Sequence, residues 1–83
     1  MSARTYRIEL RKARTLRKLG DRPEYWTGYE RGLRRAFLGD QFGTEQEHEL
    51  WLTFAADGVD PMRRERGQGY RDGLLVLTPE TTA

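Results

Sequence analysis

Apolar residues recur every three or four positions in four segments of the chain, and Gly, Pro and Asp separate the segments. In the first, residues 3–19, Ala3, Tyr6, Leu10 and Ala13 share one face of a helix at about 100° per residue. Arg4, Arg7, Arg11, Arg14 and Lys18 line another face. A rival reading makes residues 5–10 a strand, since Tyr6, Ile8 and Leu10 alternate with polar residues. A basic stripe sustained over four turns favours the helix.

Gly20 can close that helix in a left-handed conformation. Pro23 suits the first turn of the next, where its missing N–H is not needed. The second helix is expected over residues 23–38. Trp26, Tyr29, Leu33, Ala36 and Phe37 form its apolar face, and Arg31, Arg34 and Arg35 are expected to point away. Gly39, Asp40, Gln41, Phe42 and Gly43 make a tight loop. Thr44 followed by Glu47 reads as a capping box, which starts a third helix over residues 45–56. Trp51, Leu52 and Ala55 are its expected core face, with Leu50 and Phe54 at the edges. Asp60 and Pro61 then start a fourth helix over residues 61–77, with Met62, Gly69, Tyr70, Gly73 and Leu77 on one broad face. Three glycines within seven residues (67, 69 and 73) weaken it by about 3 kcal/mol in summed propensity, so it either breaks or depends on packing. Residues 78–83 read as a disordered tail.

One phrase occurs twice. Gly28-Tyr29-Glu30-Arg31-Gly32-Leu33 returns 41 residues later as Gly69-Tyr70-Arg71-Asp72-Gly73-Leu74. Two glycines four apart on a helix form a flat strip where another backbone can come close. Gly28, Gly32, Gly69 and Gly73 are therefore assigned to helix packing. The repeat implies two pseudo-symmetric helical hairpins, with the second and fourth helices crossing at their glycines. The fold class is all-α: one domain, residues 1–77, a compact bundle of three to four short helices.

Composition narrows the function. Hydrophobic residues are 36% of the 83 and charged residues 34%, so the core is thin and leans on aromatic rings. Such a core favours oligomerisation. The absence of Cys removes disulfides, thiolate metal sites and thiol nucleophiles. The longest apolar run, Leu74-Leu75-Val76-Leu77, is too short to span a bilayer, so a cytoplasmic protein without a membrane partner is expected. The net charge of +2 hides an asymmetry: residues 1–20 carry seven Arg or Lys and one Glu, whereas residues 40–60 carry six acids and no Arg or Lys. Opposite blocks of this kind suit head-to-tail or two-fold pairing between copies.

Candidate binding residues fall in two basic groups. Arg4, Arg7, Arg11, Arg14 and Lys18 can track phosphates, grip an acidic protein, or pair with the acidic third helix of their own chain. Arg63, Arg64, Arg66 and Arg71, with Gly and Tyr between them, form the second group. Tyr25, Trp26 and Phe42 lie near helix ends or in a loop and are candidate interface aromatics. Glu45 and His48 have the Glu-x-x-His spacing of di-metal bundles, but a lone His needs a second copy to complete such a site. A hydrogen-bonded, half-buried His48 is the simpler reading.

No nucleophile, paired acid and base, or metal set emerges, and no cofactor or small-molecule substrate is expected. The expected function is a non-enzymatic binding or adaptor module acting through a protein partner and self-associating. The alternative is a nucleic-acid-binding accessory protein using the first helix and the 63–71 cluster. A metal-dependent enzyme at a dimer interface is a distant third.

Overall fold

The computed structural model describes residues 3–77, and its four helices are α1 (Ala3–Lys18), α2 (Pro23–Leu38), α3 (Glu45–Phe54) and α4 (Pro61–Leu77). A 3-10 turn, Gly39–Gln41, follows α2. The fold is all-α, and residues 5–10 are helical rather than a strand. The expected tail, residues 78–83, lies outside the described residues.

Local chemistry sets the boundaries. Gly20 has φ 82°, a left-handed conformation open to glycine, and α1 ends two residues before it. The Thr44 hydroxyl accepts from the Glu47 N–H at 3.0 Å, and the Glu47 carboxylate accepts from the Thr44 N–H at 3.2 Å, completing the capping box of α3. That helix stops at Phe54, two residues early, because the Asp57 carboxylate collects the Val59 and Asp60 N–H groups into a turn. Asp60 then caps α4 by accepting from the Met62 N–H at 3.0 Å. Arg22, just before α2, has φ 52°, uncommon outside glycine. Its guanidinium is anchored at both ends of its reach, 4.1 Å over the Tyr25 ring and 2.7 Å from Glu65.

The bundle is two hairpins back to back. Helix α1 runs antiparallel to α2, with Tyr6 stacked on Phe37 at 4.2 Å at one end and Arg17 on Glu30 at the other. Helix α3 runs antiparallel to α4, with His48 and Trp51 against Tyr70 and Phe54 beside Gly67. The hairpins meet along α2 and α4, the most extensive interface in the molecule. A Cβ on Gly28 would overlap the Arg66 carbonyl, and one on Gly32 the Tyr70 carbonyl. In return, a Cβ on Gly69 would overlap the Tyr25 carbonyl, and one on Gly73 the Tyr29 carbonyl. Residue numbers rise together along both helices, so α2 and α4 are parallel. The contacts exchange under the 41-residue shift of the repeated phrase, which defines a pseudo-two-fold axis along the seam.

This seam explains why α4 is one continuous helix despite its glycines. Gly67, Gly69 and Gly73 are all buried, each against a neighbouring backbone that a side chain would push away. Close backbone packing offsets their poor propensity. Around the seam sit Ala13 and Leu33, both fully buried, with Tyr29 at 5% exposure and Tyr70 at 2%. Tyr6, Leu10, Tyr25, Trp26 and Ala36 complete the α1–α2 side.

Three expectations are corrected. Arg35 is buried, and Arg31 and Arg34 are half-buried rather than pointing away, because carboxylates on other elements and on α2 itself draw them in. Met62 is 54% exposed and takes no part in the core, since it precedes the point where α4 reaches α2. Leu52 is exposed too, because Trp51, Phe54 and Ala55 already fill the shallow contact between α3 and α4.

Candidate functional site

Ion pairing sorts the basic residues into those held internally and those left to the outside. Glu30, on α2 and 6% exposed, is the centre of the largest internal group. Its Oε1 accepts from Arg14 Nε at 3.1 Å and from Arg34 Nη2 at 2.9 Å, while Arg17 Nη1 lies 2.9 Å from Oε2. Three guanidiniums thus share one buried carboxylate. Burial of that carboxylate is offset by three neighbouring positive charges, two of them hydrogen-bonded to Oε1.

The acidic third helix pairs with α2 rather than with the basic first helix. Arg35 Nη2 donates to Glu45 at 2.9 Å and Arg31 Nη2 to Glu47 at 2.9 Å. Arg31 is further held between two rings, 5.1 Å above Phe42 and 4.8 Å above Trp51. The second basic group is mostly occupied as well. Arg63 lies 3.6 Å from Asp57, Arg64 donates to the Asp57 carbonyl at 3.1 Å, and Arg66 pairs with Glu24. Arg71 stands apart from these, exposed and without an ion pair among the described residues.

What remains is the outer face of α1. Among the described residues Arg4, Arg11 and Lys18 form no ion pair or hydrogen bond, and Arg7 reaches only the Ala3 carbonyl, at 3.4 Å. All four are exposed, and Arg14, bound to Glu30, keeps 48% of its side chain exposed. At 3.6 residues per turn these five side chains lie within about 80° of arc along about 21 Å of helix. Arg14 and Arg17 carry the positive surface from this stripe over to Glu30. The stripe therefore borders a groove of about 350 Å³ between α1 and α3, into which Arg17, Arg31, Arg34 and Arg66 project.

The aromatic candidates sit in internal contacts. Tyr25 donates to Asp72 at 2.6 Å, Trp26 packs edge-on to Tyr25 and Tyr29, and Phe42 lies under Arg31. His48 shares a 2.6 Å hydrogen bond between its Nδ1 and the Tyr70 hydroxyl, and Glu45 turns to Arg35, so the Glu-x-x-His pair is divided between two partners. Among the described residues no cluster of His, Asp and Glu is placed to hold a metal ion, and no helix is long and apolar enough to cross a membrane.

Burial raises the pKa of the three inner tyrosines. Tyr25 is pushed up to about 12, by desolvation and then by its bond to Asp72. Tyr29 goes higher still, through burial and its 2.9 Å bond to Glu9. Tyr70 is raised by burial against the opposing pull of Arg35 and Arg31. All three are neutral hydrogen-bonding phenols at neutral pH. Asp57 is held below the usual carboxylate range by the N–H groups of Asp60 and Val59.

Sequence reasoning reached the α1 stripe but missed the groove. Glu30, Arg17, Arg31, Arg34 and Trp51 were not among its binding candidates. The one available signal was a charge exchange within the repeated phrase, where Glu30-Arg31 in the first copy stands opposite Arg71-Asp72 in the second. No protein-family model matches the chain, and no curated protein or solved structure matches it.

Proposed function

We propose that this protein is a non-enzymatic binding module that grips a polyanion, the phosphate backbone of a nucleic acid, with the outer face of α1. The observation that carries this reading is the sorting of charge. Glu45 and Glu47 of the acidic helix pair with Arg35 and Arg31, Arg63 and Arg66 pair with Asp57 and Glu24, and of the α1 stripe Arg14 alone meets a counter-charge, Glu30, among the described residues. A straight row of four guanidiniums and one ammonium, with no acid within it, fits a regularly charged polymer and releases its counterions. Head-to-tail self-association loses support from the same facts, since Glu45, Glu47 and Asp57 already pair within the chain. The glycine ridges, a natural dimerisation device, meet each other inside one chain.

The test is fluorescence anisotropy with a labelled duplex of about 20 base pairs, between about 50 and 200 mM salt. Affinity should fall steeply with salt and vary little with sequence. Combined Arg4→Ala, Arg7→Ala and Arg11→Ala should abolish it, while Arg63→Ala leaves it. Absence of binding at low salt, or binding indifferent to the triple change, rejects the reading.

A second reading, docking to protein, is favoured by a different observation. Phe37, Leu38, Leu75 and Val76 are all exposed, in the last turns of two parallel helices and so at one end of the bundle. A dimer by light scattering that persists at about 500 mM salt and is lost on Leu75→Asp would put protein association first.

A further inference from the structure

The groove between α1 and α3 is separate from the α1 stripe, for none of Arg4, Arg7, Arg11, Arg14 and Lys18 lines it. Its volume, about 350 Å³, falls in the range of small-ligand sites, and its walls come from all four helices. Arg17 enters from α1, Arg31 and Arg34 from α2, and Arg66 from α4, and Phe42 and Trp51, the rings beneath Arg31, complete the lining. The side chains of the four arginines line the groove and are 30–41% exposed, so none is sealed off from a ligand there.

Donor arithmetic favours an anion. A guanidinium carries five N–H donors in a fixed fork. Arg31 uses some on Glu47, Arg66 on Glu24 and Arg34 on Glu30, while Arg17 Nη1 lies 2.9 Å from Glu30 Oε2 as an ion pair. Glu30 is the one carboxylate lining the groove, and with Arg14 three arginines neutralise it. The groove therefore keeps an excess of positive charge. The guanidiniums are also fixed in advance. Arg34 and Arg17 are held by Glu30, and Arg31 is clamped between Phe42 and Trp51. Holding donors in place before the ligand arrives lowers the ordering cost of binding.

We infer that this groove is a phosphate-binding site, in which Arg31 and Arg34, with Arg17 beside them, grip the oxygens of a phosphate group. The phosphate can be carried by a small molecule or by the backbone of a nucleic acid. The inference does not rest on the α1 stripe.

The experiment is a titration of the full chain with inorganic phosphate at low ionic strength, read by NMR at the Trp51 indole N–H and the arginine Nε–H resonances. Saturable shifts at Trp51, Arg31 and Arg34 are expected, and an equivalent addition of chloride should not reproduce them. Arg34→Gln, which leaves Arg14 and Arg17 on Glu30, should weaken binding about tenfold, the scale of one lost charge-assisted contact. Arg71→Gln, outside the groove, should change nothing. A far-ultraviolet circular dichroism spectrum establishes that each variant is folded, and Arg17→Gln serves in its place if Arg34→Gln is not. Non-saturable shifts, shifts matched by chloride, or equal affinity in Arg34→Gln and the parent overturn the proposal. The triple α1 variant separates the two ideas: it should lose duplex binding and keep phosphate binding. A duplex that displaces phosphate identifies the polymer as a source of the group, whereas phosphate binding undisturbed by duplex assigns the groove to a small phosphorylated molecule.

Discussion

The two hairpins are built on one repeated phrase and are filled differently. In both, the motif tyrosine is buried and bonds to the hairpin's own outer helix, Tyr29 to Glu9 on α1 and Tyr70 to His48 on α3. At the equivalent position before the motif, however, α2 has Trp26 and α4 has Gly67. The Trp26 ring fills space between α2 and α1, where Ala13 is fully buried and Tyr6 and Leu10 pack alongside. Gly67 lets the backbone of α3 press directly on α4, and α3 buries none of its own residues. One hairpin is held by side chains and a buried charge cluster, the other by backbone contact and a shared tyrosine. A repeated motif fixes where helices meet, and the residues beside it decide how far apart they stand and with what chemistry.

The strongest test of that comparison is aimed at its common element. Gly69→Ala places a methyl against the Tyr25 carbonyl, and either helix α2 or α4 must move. A loss of about 3 kcal/mol or more is expected in urea unfolding, at the upper end of overpacking effects. Gly58→Ala, which faces open space, is the reference. Equal effects at the two positions would show that the seam is not closed.

Next comes the asymmetry of charge. Glu30→Gln leaves Arg14, Arg17 and Arg34 facing a neutral amide and should cost about 3 kcal/mol, because a buried cluster is broken from one side. Glu47→Gln removes an exposed pair between α2 and α3 and should cost less than about 0.5 kcal/mol. Similar values for both would mean that burial of Glu30 adds nothing.

Alkaline pH acts on both hairpins through their tyrosines. Tyrosine in an unfolded chain ionises near pH 10, whereas Tyr25 holds its proton to about 12 and Tyr29 and Tyr70 are also raised. Between these limits the unfolded state loses protons that the folded state keeps, so stability falls as pH rises. The midpoint of thermal unfolding should be level from pH 8 to about 9.5 and drop beyond 10. Tyr25→Phe should soften the drop, and an unchanged profile in that variant would remove Tyr25 from the account.

A more local effect belongs to the lighter hairpin. Thr44→Ala removes the cap of α3 and should cost about 1 kcal/mol. Because α3 is so lightly packed, the loss should appear first as faster amide exchange within residues 45–54, with α1 unaffected. Uniform loss of protection across both hairpins would show that they open together.

The elements were legible because their signals are local. The bounds of α2 and α4, the capping box at Thr44, and the repeated glycines follow from residues within one or two turns of each other. The groove was not legible, because its parts depend on pairings across the chain. Arg31, Arg34 and Arg35 look like a solvated face until the bundle brings Glu45 and Glu47 beside two of them. Nothing within α2 says that Glu30 will be covered by Arg14 and Arg17 from α1. The parallel, unstaggered setting of α2 and α4 is also a tertiary fact, visible only once each glycine is seen opposite a carbonyl of the other helix.

The pseudo-two-fold seam has a consequence for assembly. Each hairpin is to the other what a second subunit would be, joined through the short link at residues 39–44. If that link opens, the α3–α4 hairpin of one molecule can lie on the α1–α2 hairpin of another and restore every contact of the closed form. A dimer formed in this way at high concentration is a domain swap. It would present no surface that the monomer lacks, and each of its two lobes would carry one basic stripe and one groove.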